Sequence, residues 1–139
     1  MRHRRIVKKF GRKPAHRKAL MVSLVTNLIL QSSIKTTLPK AKQARRDAEK
    51  IVTVARKGTL AARRLAASRL QSPEALQILF DSVVPAMDGR NGGYTRILKL
   101  GQRRSDGSEM CLLQWVEKLA GEEAETAPET PGAEAPAAG

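Results

Sequence analysis

Apolar residues recur with a helical period near the start of the chain, over residues 16–31. They form two adjacent rows with a spacing of four, which places them on one face of an α-helix. The rows are Leu20, Leu24 and Leu28, and Met21, Val25 and Ile29. Because this stretch is too long for a single strand, the pattern predicts the first helix.

A short strand and a second helix are predicted next. Residues 33–38 are rich in β-branched side chains, which favours one strand. Pro39 suits the first turn of a helix over residues 40–57, and Thr37 is a candidate N-cap. A stripe of mostly small side chains should face the core. It consists of Ala41, Ala44, Ala48, Ile51, Val52 and Ala55.

Two further helices should follow. Residues 59–70 predict a short helix, in which we expect Leu60, Leu65 and Leu70 to face inward. The sequence Ser72-Pro73-Glu74 combines a cap, a first-turn proline and an early acid, which is typical of a helix start. Its apolar stripe consists of Leu76, Leu79, Phe80, Val83 and Val84. Pro85 is expected to end or kink this fourth helix.

The C-terminal part predicts a β-hairpin and then an unstructured tail. Residues 94–100 and 109–116 are strand-like, and the basic loop between them carries Arg103 and Arg104 at its tip. Cys111 is expected to be a small buried side chain. Residues 119–139 consist of Ala, Glu, Pro, Thr and Gly with one Leu, so we expect them to be disordered.

These elements predict one α+β domain over residues 16–118, with about four helices packed on a small mixed sheet. A basic arm, residues 1–15, precedes it, and the acidic tail, residues 119–139, follows it. We expect the arm to be disordered in the free protein because its like charges repel one another. The chain of 139 residues has room for one such domain.

Charge is distributed very unevenly along the chain. Residues 1–69 hold 20 basic and 2 acidic groups, residues 70–118 hold 6 of each, and the tail holds 5 acidic groups and no basic one. Nine basic residues within residues 1–18, without a carboxylate, indicate polyanion binding better than simple solubility. A mitochondrial transit peptide is the other interpretation of the arm, but the arm lacks Ser and a sustained amphipathic stripe.

Candidate catalytic chemistry is sparse. There is one cysteine, the two histidines His3 and His16 are widely separated, and Asp47 and Glu49 point to different faces of one helix. No glycine-rich segment precedes a helix as a phosphate loop requires, and no apolar run approaches the ~20 residues of a membrane span. We therefore expect no enzyme activity, metal, cofactor, small-molecule substrate or membrane partner, and no need for a homo-oligomer.

The basic arm and the basic helix suit contacts with the phosphate backbone and the shape of a nucleic acid rather than with its bases. The basic half has a single aromatic, Phe10, whereas single-strand binders stack bases on several. Two functions stay open from the residues alone. One is contact with a folded RNA, and the other is a histone-like DNA-binding protein of the nucleoid.

Three sequence blocks resemble one family in register. They are Met1-Arg2-His3 with Gly11-Arg12 and His16-Arg17, the block Ile34-Lys35-Thr36-Thr37-Leu38-Pro39-Lys40-Ala41-Lys42 with Glu49 to Arg56 after it, and Gly92-Gly93-Tyr94-Thr95-Arg96-Ile97-Leu98. The chain resembles the bacterial-type family of the seventeenth large-subunit ribosomal protein over residues 1–117. Ser32-Ser33 and Arg104-Ser105-Asp106 depart from the family pattern.

The resemblance implies a structural protein of the large ribosomal subunit in the cytoplasm. Its partners would be large-subunit ribosomal RNA and neighbouring ribosomal proteins near the outer end of the exit tunnel. It also implies that the strand at 34–37 joins the C-terminal hairpin. The predicted RNA contacts are Arg2, His3, Arg4, Arg5, Lys8, Lys9, Arg12, Lys13, His16, Arg17, Lys18, Thr36, Thr37, Lys40, Lys42, Arg45, Arg46, Arg103 and Arg104.

The acidic tail lies beyond the family pattern, and two interpretations of it stay open. It is either an inert solubilising extension or a segment that weakly shields the basic surface before assembly. Shielding would be salt-sensitive, because exposed ion pairs are weak and physiological salt screens them within ~8 Å.

Overall fold

The computed structural model describes residues 8–119. Residues 1–7, including the predicted contacts Arg2 to Arg5, lie outside the described part, as does the acidic tail after residue 119. The elements, in order, are α1 (Pro14–Gln31), β1 (Ser33–Thr37), α2 (Leu38–Ala55), α3 (Leu60–Leu70), α4, β2 (Thr95–Gln102) and β3 (Glu109–Trp115). Helix α4 runs through Pro73–Ile78, a π-helical turn at Leu79–Val83, and Val84–Ala86.

The helix starts follow the local chemistry of the sequence. Helix α1 begins at Pro14, two residues before the predicted start, because proline is well placed in a first turn. Thr59 and Ser72 are true side-chain caps: their hydroxyl oxygens accept from the backbone N–H of Ala62 at 3.1 Å and of Ala75 at 3.3 Å. Thr37 is at the N-cap position of α2, but its side chain makes no capping bond.

Helix α4 continues one residue past Pro85 instead of ending there. A proline in a helix has no N–H to donate to the preceding turn. The π-helical turn Leu79–Val83 ends two residues before Pro85, and a π-helical turn is wider than an α-helical one. Leu79 and Val83, two members of the predicted apolar stripe, are fully buried. The prediction of an end near Pro85 is therefore confirmed to within one residue, because the helix stops at Ala86.

The three strands form one sheet in the order β1-β3-β2. Both pairs are antiparallel, so the expected hairpin is confirmed and the expectation of a mixed sheet is wrong. Strand β1 does join the hairpin, as the family resemblance implies. Cys111 pairs with Thr36, and Leu113 pairs with both Ile34 and Ile97. A register shift between Lys99 and Gly101 bends the edge strand β2.

One hydrophobic core joins the sheet to the helices. Val25, Leu28 and Ile29 of α1 are buried in it, as is the whole predicted stripe of α2. Trp115 of β3 donates its indole N–H to the carbonyl of Leu28 at 3.1 Å, which fixes the end of the sheet to α1. Cys111 is buried as predicted, and this burial raises the pKa of its thiol.

Helix α3 corrects one prediction about the core. Leu60 and Leu65 are 64% and 43% exposed, and only Leu70 of the three leucines is buried. Ala62 and Ala66 occupy the inner face instead. Residues 62, 66 and 70 are four apart and share one face, whereas a spacing of five places successive leucines on different faces.

The packed chain reaches slightly further than the predicted domain boundary. Leu119, which the prediction assigns to the tail, is 5% exposed and belongs to the core cluster. At the other end, Phe10 packs against the same core. Both ends of the described chain are thus attached to the domain by an apolar side chain.

Candidate nucleic-acid interface

The described part of the arm is a short turn held by Phe10. The N–H of Arg12 donates to the carbonyl of Lys9 at 3.1 Å, and Phe10 adopts a positive φ of 55°. This turn directs Phe10 onto the core and leaves Lys8 and Lys9 exposed. The one aromatic of the basic half is therefore partly buried against the core.

The N-terminus of α1 concentrates positive charge. Its N-cap residue Lys13 provides no side-chain bond, and its first turn contains no acid. The first N–H groups of a helix lack internal partners and favour an anion. His16 and Lys18 are exposed and Arg17 is half-buried beside this helix end. A phosphate placed here would satisfy the N–H groups and offset the repulsion among the cations.

Helix α2 presents its basic side to solvent because its small residues face the core. Ala41, Ala44 and Ala48 are fully buried. Lys42, Arg45 and Arg46 are exposed and Lys40 is half-buried, which confirms the predicted orientation of this helix. A concave surface of about 460 Å³ lies between this side of α2 and the arm. It is lined by Lys8, Pro39, Lys42, Gln43, Arg45 and Arg46.

A second concave surface lies on the other side of Gln43, between α1, α2 and α3. We call it the three-helix groove, and its volume is about 480 Å³. The lining residues are Pro14, Arg17, Lys18, Met21, Val22, Val25, Gln43, Asp47, Lys50, Ile51, Ser68, Arg69 and Leu70. Because both cavities include Gln43, the basic surface extends from the arm across α2 into this groove.

The two acids of the basic half have separate structural settings. Glu49 accepts from the N–H of Thr95 at 3.0 Å and from its hydroxyl at 2.8 Å, so it ties α2 to β2. Asp47 lies in the three-helix groove, where partial burial raises its pKa despite the nearby Lys50 and Arg69. The two acids therefore lie on different faces of α2, as their spacing predicts.

Two predicted contact residues, Thr36 and Arg103, are less available than the other described ones. Thr36 is buried on the core side of the sheet, while Thr37 is half-buried. Arg103 is held by Asp106 through two bonds of 2.9 and 2.6 Å, and this pairing lowers the pKa of the Asp106 carboxyl well below its usual range. Arg104, the other basic residue of the hairpin tip, is exposed.

Two basic residues of the groove are absent from the predicted contact set. Lys50 lies one helical turn after Arg46 on α2, and this spacing of four could have indicated it. Arg69 comes from the end of α3 and meets α1 and α2 only in the folded chain. No local pattern marks it.

Arg56 has a structural role although it belongs to the basic helix. Its guanidinium donates to the carbonyl of Arg90 and to the hydroxyl of Tyr94, the latter at 3.0 Å. These bonds attach the end of α2 to the segment before β2. Within residues 8–119, no group of three His, Cys, Asp or Glu side chains gathers to hold a metal, and no helix is long and apolar enough to cross a membrane.

The described fold and surface define a small basic α+β protein with a charged surface formed by its arm and first three helices. A family model described as Ribosomal protein L17 matches residues 20–116. The chain is 50% identical over 117 residues to the large ribosomal subunit protein bL17 of Methylacidiphilum infernorum (isolate V4), covering 84% of this chain and 89% of that one.

Other bL17 proteins are similar to this chain to a comparable degree. The bL17 protein of Finegoldia magna is 46% identical over 123 residues, which cover 86% of this chain and 94% of the relative. That of Chloroflexus aurantiacus (strain J-10-fl) is 48% identical over 116 residues, covering 84% and 100%. The chain therefore belongs to the ribosomal protein L17 family.

Family membership confirms the resemblance carried by the block Ile34–Lys42. It makes the chain a structural constituent of the large ribosomal subunit, bound to the ribosome in the cytoplasm, and a component of translation rather than an enzyme. The alternative of a free nucleoid protein loses its support, because that alternative depended only on charge.

Proposed function

We propose that this chain binds large-subunit ribosomal RNA through the surface that runs from the arm across α2 into the three-helix groove. The observation that carries the proposal is the concave surface between Lys8 and the exposed side of α2, whose charged lining residues are all basic. Such a surface suits the phosphates of a folded RNA backbone. The buried Ala41, Ala44 and Ala48 keep the cations in place by holding this side of α2 outward.

The site residues follow from this geometry. Lys8, Lys42, Arg45 and Arg46 neutralise phosphates in the cavity, and His16, Arg17 and Lys18 do so at the start of α1. Arg2, His3, Arg4 and Arg5 lie outside the described residues and stay in the proposed contact set by resemblance. Thr37 and Arg104 contribute at the edges. Thr36 and Arg103 are weaker members, because one is buried and the other is paired with Asp106.

The test is the salt dependence of binding to large-subunit ribosomal RNA. If about 6–10 phosphates are neutralised, the logarithm of affinity should fall against the logarithm of salt with a slope of roughly −5 to −9. Replacing Lys40, Lys42, Arg45 and Arg46 by Gln should weaken binding and flatten the slope by up to about 3–4. A wild-type slope near −1 would contradict the proposal.

A matched control removes the same charge elsewhere. Lys57, Arg64, Lys99 and Lys118 are exposed and lie outside both cavities. Their replacement by Gln should leave most of the affinity intact. Equal losses in both quadruple variants would mean that net charge, and not this surface, determines binding.

The location on the subunit is a separate part of the proposal. Through its family resemblance, we place the chain near the outer end of the exit tunnel, beside neighbouring ribosomal proteins. Cross-linking of intact subunits should join it to components at the tunnel exit. Co-sedimentation with the large subunit should survive DNase but not RNase, and the reverse result would favour a DNA-binding function.

A further inference from the structure

We propose that the three-helix groove receives one unpaired nucleotide of RNA, with guanosine favoured. The proposal deepens the proposed function, on which it rests, by assigning base recognition to a surface otherwise expected to read only the backbone. The cavity of about 480 Å³ is within the roughly 300–1,000 Å³ range of small-molecule sites. Sequence-specific RNA recognition commonly uses bases splayed out of the helix.

The lining of the groove has the three chemical parts that a nucleotide requires. The apolar lining consists of the largely buried Met21, Val25 and Ile51 and the half-buried Val22, and Val22 supplies exposed apolar surface for the face of a base. The side chains of Arg17, Lys18 and Arg69 supply positive charge for its phosphate. Asp47 supplies a carboxylate among these cations, and no hydrogen bond from residues 8–119 to that carboxylate is found in the structure.

Asp47 is the residue that gives the groove its preference for guanine. A carboxylate accepts hydrogen bonds and repels phosphate, so a surface built only for phosphates gains nothing from it. Guanine presents two adjacent N–H donors, at N1 and at the exocyclic amine, and these match the two oxygens of a carboxylate. Adenine and cytosine offer one amino group, and the N–H of uracil lies between two carbonyl oxygens that repel a carboxylate.

The acidic tail is a poorer occupant of the same groove. Residues 120–139 contain five Glu residues and no side chain larger than these. They would match the cations but bring a second set of negative charges to Asp47. They also offer no large apolar or flat group to cover Val22 and the apolar floor beneath it.

The test is an NMR titration of the full chain with GMP, UMP and inorganic phosphate in turn. The methyl groups of Met21, Val22, Val25 and Ile51 report on the groove. We expect saturable shifts of these methyls with GMP, and an affinity for GMP roughly fivefold or more above that for UMP, because a bidentate contact discriminates by at least this much. Asp47→Asn should abolish the preference, and the exposed Asp81→Asn, outside the groove, should preserve it.

Three results would overturn the proposal. The first is that the groove methyls do not respond to millimolar GMP. The second is that GMP, UMP and phosphate give the same response, which would make the groove a phosphate site only. The third is that truncation after Leu119 shifts the methyls of the free protein, which would make the tail the occupant. Each result leaves the salt-dependence test unaffected. Loss of ribosomal RNA binding in that test would instead contradict the proposed function.

Discussion

Helices α2 and α3 are both rich in Ala and in Arg or Lys, yet only α2 buries the residues that its pattern predicts. In α2 the small side chains at a helical spacing face the core and the cations face solvent. In α3 the conspicuous leucines Leu60 and Leu65 lie outside, and the inner face consists of Ala62, Ala66 and Leu70. Spacing, and not side-chain size, decides which residues a helix buries.

The difference also has a packing reason. Alanines at an inner face let a helix approach its neighbours closely, and α3 packs against α1, α2 and α4. The exposed position of Leu65 beside Arg64 leaves a mixed apolar and basic outer side on α3. Arg63 instead covers the ring of Phe80, with its guanidinium carbon 5.2 Å from the ring centroid.

The largest expected effect comes from replacing a leucine of α3 by alanine, and it should differ between a buried and an exposed position. Leu70→Ala should lower the free energy of unfolding by about 2–5 kcal/mol, because it opens a cavity at a site that is 1% exposed. Leu65→Ala, at a site that is 43% exposed, should change it by only about 0.5 kcal/mol. Urea unfolding measures both. Similar losses in the two variants would show that the outer leucines are also structural.

A smaller effect is expected from the acid that joins α2 to the sheet. Glu49→Ala removes both bonds to Thr95 and leaves a buried N–H without its partner. The cost should be about 1–3 kcal/mol in unfolding free energy. Glu74→Ala, at an exposed first-turn position of α4, is the control and should cost less than about 1 kcal/mol. If Glu49→Ala is as mild as the control, the link between α2 and β2 does not depend on this carboxylate.

These contrasts show how far the sequence alone could predict the molecule. Helical spacing located α1 and α2, and capping chemistry located the start of α4. The hairpin followed from its two strand-like runs, but the pairing of β1 with β3 came only through the family resemblance, because no local pattern states which strand is the neighbour. The basic side of α2 was predictable for the same reason as its buried stripe.

The groove was not predictable in the same way. Arg17, Lys50 and Arg69 are far apart in sequence and meet only because three helices pack together. Asp47 and Glu49 are both half-buried acids among many cations, and the folded chain separates them because Glu49 bonds to Thr95 whereas Asp47 lines the groove. Long-range packing decides both features, and periodicity within one helix carries no information about it.

The arm offers a third, smaller contrast, between Phe10 and the residues before it. Phe10 packs on the core at the base of the arm, so Phe10→Ala should lower the unfolding free energy by about 1 kcal/mol. Deletion of residues 1–7 should leave the melting temperature unchanged and weaken RNA binding, since it removes three arginines and one histidine. A clear loss of thermal stability in the deletion variant would mean that the arm stabilises the domain over more of its length.

The smallest effect concerns Asp47, and its sign depends on pH. Partial burial raises the pKa of Asp47 above that of an unfolded chain, despite the opposing charges of Lys50, Arg69 and Arg46. A carboxyl with a raised folded-state pKa favours folding while it is protonated, and that contribution is lost as the pH rises through the folded-state pKa.

Asp47→Asn should therefore raise the melting temperature slightly at neutral pH, because the ionised carboxylate is absent. The difference from the wild type should shrink as the pH falls toward the ordinary aspartate pKa of ~3.9, where the wild-type group is also becoming neutral. Thermal unfolding at a series of pH values measures this convergence. A lower melting temperature for the variant at neutral pH would show that attraction to the groove cations outweighs the cost of burying the charge. In that case Asp47 would be a stabilising residue of the groove as well as its proposed base acceptor.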